Sequence, residues 1–213
     1  MLSTLLNSYL NEMSKIALKY GGTIDKFVGD AILIFFGDPE TKGDKEDAYS
    51  CVLMALEMQE RMHHLKNLWE GQGITNPLEI RIGINTGYCN VGNFGSENRL
   101  DYTIIGGEVN LASRLESNAM TGQILISQET YALIKKHIVC EKKDEIKVKG
   151  IAHKIQTYQV VGSYKNIAQK RKILNEKFDG FNLNIDLNIS KKNKVITSLE
   201  NTLKQLKKDE KSN

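Results

Sequence analysis

Six polar side chains in this sequence stand where they could do chemistry together: Lys26, Asp30, Thr103, Asn110, Arg114 and Lys149. Asp30 follows Gly29 between two β-rich apolar runs, residues 24–28 and 31–36. A Gly-Asp pair in that setting signals a two-residue hairpin, because glycine supplies the positive φ that the turn needs. The Asp30 carboxylate is then at or beside the tip, where it meets solvent or a cation, and Lys26 projects from the strand leading into it. Taken alone, the motif is equally an ordinary hairpin with an acidic turn. Asn110 and Arg114 lie four residues apart, on one face of a helix that opens at Glu108. A helix amino terminus favours anions, and an arginine added there makes a phosphate clamp. The alternative for this pair is a solvated Arg114 matched with Glu108 or Glu116. Thr103 is just upstream on a strand, and Val148-Lys149-Gly150 sets another cation beside a flexible turn.

The elements that must hold these residues are legible from periodicity. Residues 2–20 carry apolar side chains at three- and four-residue intervals, among them Leu5, Tyr9, Met13 and Ile16, which predicts an amphipathic helix ended by Gly21-Gly22. Its periodicity is already running at the second residue, with no capping residue before it. After the hairpin, residues 38–45 form a polar connection. A long helix over 47–69 has Val52, Ala55, Leu56, Met62, Leu65 and Trp69 along one stripe, and Met54, Met58 and Met62 read as core or interface filler rather than a cofactor box. Residues 78–85 alternate as a half-buried strand, 88–91 form a second extended piece, 92–96 a loop and 102–105 another strand. A helix over 108–119, a strand over 122–126, a helix over 128–137 and strands over 146–149 and 155–161 complete the body. Such interleaving predicts an α/β sandwich with one sheet covered by helices over residues 1–162. In the tail, residues 163–213, Phe181, Leu183, Ile185, Leu187 and Ile189 alternate as a strand, and Val195, Leu199, Leu203 and Leu206 mark a lysine-rich helix. The expectation is a strand and helix added to the edge of the sheet, with an oligomerisation element as the alternative.

Bulk properties narrow the class. With 213 residues, 40% hydrophobic and 26% charged, the chain can bury one sizeable core with an appendage. The net charge of +3 is uneven: residues 163–213 hold 12 Lys+Arg against 6 Asp+Glu, and residues 1–162 hold 17 against 20. A slightly acidic body gives little support to nucleic-acid binding. Three cysteines without metal-type spacing fit reduced thiols, and the four histidines form no ligand cluster, with His63 and His64 expected on a helix surface. No apolar run approaches the roughly 20 residues that span a bilayer, and no signal-peptide pattern opens the chain, so a soluble cytoplasmic chain is expected.

Four blocks taken together are specific. Residues 26–30 (KFVGD), 81–87 (RIGINTG), 101–114 (DYTIIGGEVNLASR) and 148–150 (VKG) resemble, in order, the catalytic domain of class III nucleotidyl cyclases. The resemblance implies an α+β, ferredoxin-like cyclase sandwich with a mixed, mainly antiparallel sheet. It also implies a phosphorus-oxygen lyase that turns a nucleoside triphosphate into its 3',5'-cyclic monophosphate and pyrophosphate, by attack of the ribose 3'-hydroxyl on the α-phosphate. In that family two Mg²⁺ or Mn²⁺ ions are held by two aspartates, one of which Asp30 matches. Arg114 matches the arginine that meets the transition state, Asn110 the residue that orients the ribose, and Lys149 the lysine that binds the triphosphate. Lysine at the position of Lys26 with threonine at that of Thr103 goes with adenine, where guanylyl cyclases have glutamate and cysteine. The implied substrate is therefore ATP, and the Lys/Thr pairing is similar to the subgroup that includes bicarbonate-responsive adenylyl cyclases.

Family members are dimers whose sites take metal residues from one protomer and base, ribose and phosphate residues from the other, so a homodimer with two sites is implied. One departure stands out. The family's other metal aspartate lies on a strand before the first helix, and nothing in residues 1–20 matches it, Glu12 being the one acid there. The first strand is expected to be missing, with the chain read as a fragment rather than a degenerate copy, and its own turnover is expected to be weak or absent because one carboxylate holds two ions poorly. The alternatives are a regulatory pseudo-cyclase that binds nucleotide or a partner without turnover, and a plain ferredoxin-like interaction domain.

Overall fold

The computed structural model describes residues 2–147, 154–164, 173–186 and 192–209. By internal packing the chain divides into two units, Met1–Ser163 and Tyr164–Asn213. The first unit is mixed α+β. It opens with α1 (Leu2–Lys19), whose buried stripe of Leu5, Tyr9, Met13, Ile16 and Ala17 packs against Met54, Met58, Met62, Leu65 and Trp69 of α2 (Asp44–Gly71). All three methionines are core residues, as their spacing suggests, and each such burial contributes about 1.5–3 kcal/mol. His63 and His64 lie on the exposed face of α2. The helix starts at Asp44, three residues before the expected residue 47, because Asp44, Glu46 and Asp47 suit the positive end of the helix dipole.

Between these helices β1 (Thr23–Val28) and β2 (Ala31–Phe35) form the expected hairpin, with Val28 opposite Ala31 and only Gly29-Asp30 in the turn. After α2 come β3 (Ile82–Ile84), β4 (Asn90–Ser96), β5 (Arg99–Ile105), α3 (Gly107–Asn118), β6 (Ile124–Ser127), α4 (Gln128–Ile134), β7 (Ile138–Lys142) and β8 (Thr157–Ser163). The central sheet has the order β3-β6-β8-β7, with β3 parallel to β6 and the other pairs antiparallel. The hairpins β1-β2 and β4-β5 are separate two-stranded sheets, so three sheets replace the single one expected.

Three local differences have physical causes. Residues 92–96 are strand, not loop: their glycines suggest a loop, but β4 and β5 pair along their whole lengths, and at Gly95 a Cβ would stand 2.0 Å from the Arg99 carbonyl oxygen. Strand pairing over 78–85 is confined to β3, although Leu78 and Ile80 still pack on the α1/α2 core. The strand β7 has no clean alternation in its sequence, and it forms by pairing with β8 around a bulge between Val139 and Cys140.

The second unit carries β9 (Ile173–Phe178) and β10 (Phe181–Asp186), an antiparallel hairpin turning at Asp179-Gly180, and α5 (Lys192–Asp209). The strand expected at the edge of the main sheet thus pairs with β9 in a sheet of its own. Leu187 and Ile189 lie outside the described residues. Among the described residues no helix is long and apolar enough to cross a membrane.

Candidate active site

Asp30 occupies the second central position of the β1-β2 turn. Gly29 before it has φ +64°, the value that lets a two-residue turn follow the strand twist. The Asp30 carboxylate is exposed and, among the described residues, takes part in no hydrogen bond or ion pair. Its charge reaches Tyr9 of α1, whose phenol is pushed up to about 12 by burial first and by Asp30 second. Glu12 supplies no companion. It accepts from Lys15 at 3.0 Å and from Arg61 Nε at 2.7 Å, bonds that hold its carboxyl below the usual range and brace α1 on α2. Among the described residues no cluster of three or more His, Cys, Asp or Glu side chains is arranged to hold a metal. The donor set offers one unpaired carboxylate, which fits a single hard cation completed by phosphate oxygens and water and does not fit a two-ion site.

Lys26 and Thr103 come from different hairpins, yet both reach one carboxylate that spacing alone did not single out. Thr103 Oγ1 donates to Asp25 Oδ2 at 2.7 Å, and Lys26 Nζ lies 3.6 Å from Asp25 Oδ1. Neighbouring residues on a strand normally face opposite ways. Here the register slips between Ile24 and Lys26, and such a bulge re-aims a side chain. The Asp25 side chain is 1% exposed and that of Lys26 44% exposed, so the acid is interior and the ammonium reaches out. The signal available in the sequence was an acid directly preceding the lysine.

Asn110 and Arg114 are both exposed on α3. The pairing of Arg114 with Glu108 or Glu116 does not occur: Glu108 accepts from Asn85 Nδ2 at 2.7 Å, and Glu116 from Arg81 Nε at 2.5 Å. Among the described residues the Arg114 guanidinium has no partner, while its backbone carbonyl accepts from Asn118 Nδ2. The amino terminus of α3 has no side-chain cap, its N-cap being Gly106. Two features of the 81–87 block seat this helix. At Gly83 a Cβ would stand 2.1 Å from Glu116 N and 2.3 Å from the Ala112 carbonyl, so only glycine lets α3 lie on β3. Asn85 Nδ2 also donates to the Glu108 carbonyl at 3.2 Å, tying the end of β3 to the first turn of α3. Lys149 lies outside the described residues.

A family model described as the adenylate and guanylate cyclase catalytic domain matches residues 1–162. The chain belongs to this family. The cyclase domain is 35% identical over 161 residues to the terminal-differentiation specific adenylate cyclase of Dictyostelium discoideum, covering 73% of this chain and 7% of that protein. It is 31% identical over 160 residues to adenylate cyclase 1 of Rhizobium meliloti, covering 74% of this chain and 24% of that one. The cyclase chain therefore spans less than a quarter of the length of either relative. Among solved structures, the adenylyl cyclase CyaB from P. aeruginosa superposes with a TM-score of 0.75 at 63% identity, covering 77% of this chain and 84% of that one. The guanylyl cyclase Cya2 superposes with a TM-score of 0.71 at 37% identity, covering 76% and 80%. Both base specificities are represented among these neighbours, so the choice of base turns on the pocket residues of this cyclase domain.

Proposed function

We propose that this cyclase domain is an adenylate cyclase catalytic domain, acting as a homodimer that converts ATP to 3',5'-cyclic AMP and pyrophosphate. The observation that carries the reading is the convergence of Lys26 and Thr103 on Asp25. It supports a base pocket in which an ammonium donates to adenine N1 and a hydroxyl oxygen accepts from the 6-amino group. Guanine reverses both edges, presenting an N1 donor and an O6 acceptor, and meets unmatched groups.

The remaining residues divide the work by charge. Arg114, exposed and without a partner among the described residues, meets the charge that develops on the α-phosphate as the ribose 3'-oxygen attacks, and groups of this kind are worth about 10²–10³ in kcat. Asn110, one helical turn earlier, orients the ribose, and Lys149 holds the triphosphate. Asp30 is the residue that would hold a divalent ion, whose chemistry when bound is to lower the cost of the alkoxide and to neutralise phosphate charge. Each site draws Asp30 from one protomer and the base, ribose and phosphate residues from the other.

The lone carboxylate at Asp30 favours a second reading, a regulatory module that binds ATP without turnover. Incubating the purified chain with Mg²⁺ and ATP at rising protein concentrations, with product measured by mass spectrometry, separates the two. Slow formation of cyclic AMP that rises more steeply than protein concentration, and that Arg114→Ala abolishes, is the expected result. ATP binding with no product under any condition favours the regulatory module, and absence of nucleotide binding rejects both.

A further inference from the structure

The Asp25 carboxylate has a use beyond tying the β1-β2 hairpin to the β4-β5 hairpin. A threonine hydroxyl has one proton to give and two lone pairs to offer, while an ionised carboxylate only accepts. The 2.7 Å contact between Thr103 Oγ1 and Asp25 Oδ2 is therefore a bond in which threonine donates. The other acceptor in reach of that hydroxyl, the Ile104 carbonyl, is at 3.5 Å and belongs to the protein backbone. With its proton committed, Thr103 turns only lone pairs toward a ligand. Thr103 is 5% exposed and the Asp25 side chain 1% exposed, so water is poorly placed to replace that bond if it breaks. The second oxygen of the same carboxylate faces Lys26 Nζ at 3.6 Å and draws the ammonium toward the threonine.

Resting on the reading of Lys26 and Thr103 as base-contacting residues, we propose that Asp25 is the positioning residue that makes this pocket adenine-specific, by fixing Thr103 as a hydrogen-bond acceptor. Lysine alone discriminates at N1. Threonine alone would be neutral, since a free hydroxyl rotates to donate to guanine O6 as readily as it accepts from the adenine amine. Asp25 removes that freedom: to satisfy guanine O6 the hydroxyl must leave a buried carboxylate without its donor. The bulge at Asp25 is the backbone device that makes this possible, because it brings two adjacent side chains together.

The test compares binding of 3'-deoxy-ATP and 3'-deoxy-GTP, with Mg²⁺, to the 213-residue chain and its variants. These analogues lack the attacking hydroxyl, so the readout is independent of turnover. Asp25→Asn is nearly isosteric; the Lys26 ammonium favours the amide oxygen on its own side, so Nδ2 takes the place of Oδ2, donates to Thr103 and frees the threonine proton. It should narrow the preference for the adenine analogue by roughly ten- to a hundredfold, with most of the change a gain in guanine binding. A merely structural role would weaken both analogues equally, which would overturn the proposal. Thr103→Val provides the second variant: in that background Asp25→Asn should change the preference no further, and a full additive effect would overturn the acceptor argument. Lys26→Glu combined with Thr103→Cys tests the underlying reading. If that pair shifts the preference and Asp25→Asn does not, Asp25 is not the determinant and the base pocket stands. If neither shifts it, the pocket itself is misplaced and the proposal falls with it.

Discussion

Gly83 of β3 lies against the backbone of α3 so closely that a Cβ on it would stand 2.1 Å from the amide nitrogen of Glu116. That contact sets the height of the helix carrying Asn110 and Arg114 above the central sheet. A side chain there must push backbone, which has no rotamer to yield. Gly83→Ala is expected to cost about 1–3 kcal/mol of stability through overpacking, read as a lower denaturation midpoint, and to lower turnover further by displacing α3.

Arg114→Ala should behave in the opposite way. Its guanidinium has no partner among the described residues, so removal should leave stability within about 0.5 kcal/mol of the parent while reducing cyclase turnover by about 10²–10³. Denaturation curves and product assays on one preparation check both halves, and a large stability loss would mean that Arg114 holds structure.

Tyr9 gives a pH signature. Its folded-state phenol is raised to about 12 from an ordinary 10.0, by burial first and the Asp30 charge second. A raised value means that the contribution is fully present below pH 10, where the phenol is neutral in both states. It is lost as pH climbs toward 12, because the unfolded chain ionises first. Stability should fall between pH 10 and 12, by up to about 2–3 kcal/mol across the full window, and Tyr9→Phe should flatten the slope. Tyr20, also raised to about 12, accounts for part of what remains.

Asp30→Asn removes the exposed carboxylate of the hairpin turn, which has no hydrogen-bond or ion-pair partner among the described residues. It should leave nucleotide binding unchanged without divalent ions and cut the increase that Mg²⁺ brings. Calorimetric titration with and without Mg²⁺ reads the difference, and an undiminished Mg²⁺ effect would place the ion elsewhere.

The hairpin was legible because Gly29-Asp30 is a local signal whose chemistry is contained in two residues. The α1/α2 core was legible because helical spacing of Leu5, Tyr9, Met13 and Met54, Met58, Met62 is written along each segment. Asp25 was not, since its importance arises from a bulge and from Thr103, far away in sequence and brought near only by the packing of β5 against β1. The strand β4 was hidden for a similar reason: its glycines read as a loop until pairing with β5 explains why they must be small. Arg114 stood between two readings because Glu108 and Glu116 offered local partners, and only Asn85 and Arg81, reaching from the β3 segment, settle where those carboxylates go. The role of Lys149 rests on its position in the 148–150 block alone.

If Lys26 and Thr103 select adenine, competition between ATP and GTP for the Mg²⁺-loaded chain reveals it. ATP is expected to bind at least about tenfold more tightly, and Lys26→Glu with Thr103→Cys to turn the preference toward GTP. Equal affinities in the parent chain, or a preference that the double substitution leaves untouched, would contradict it.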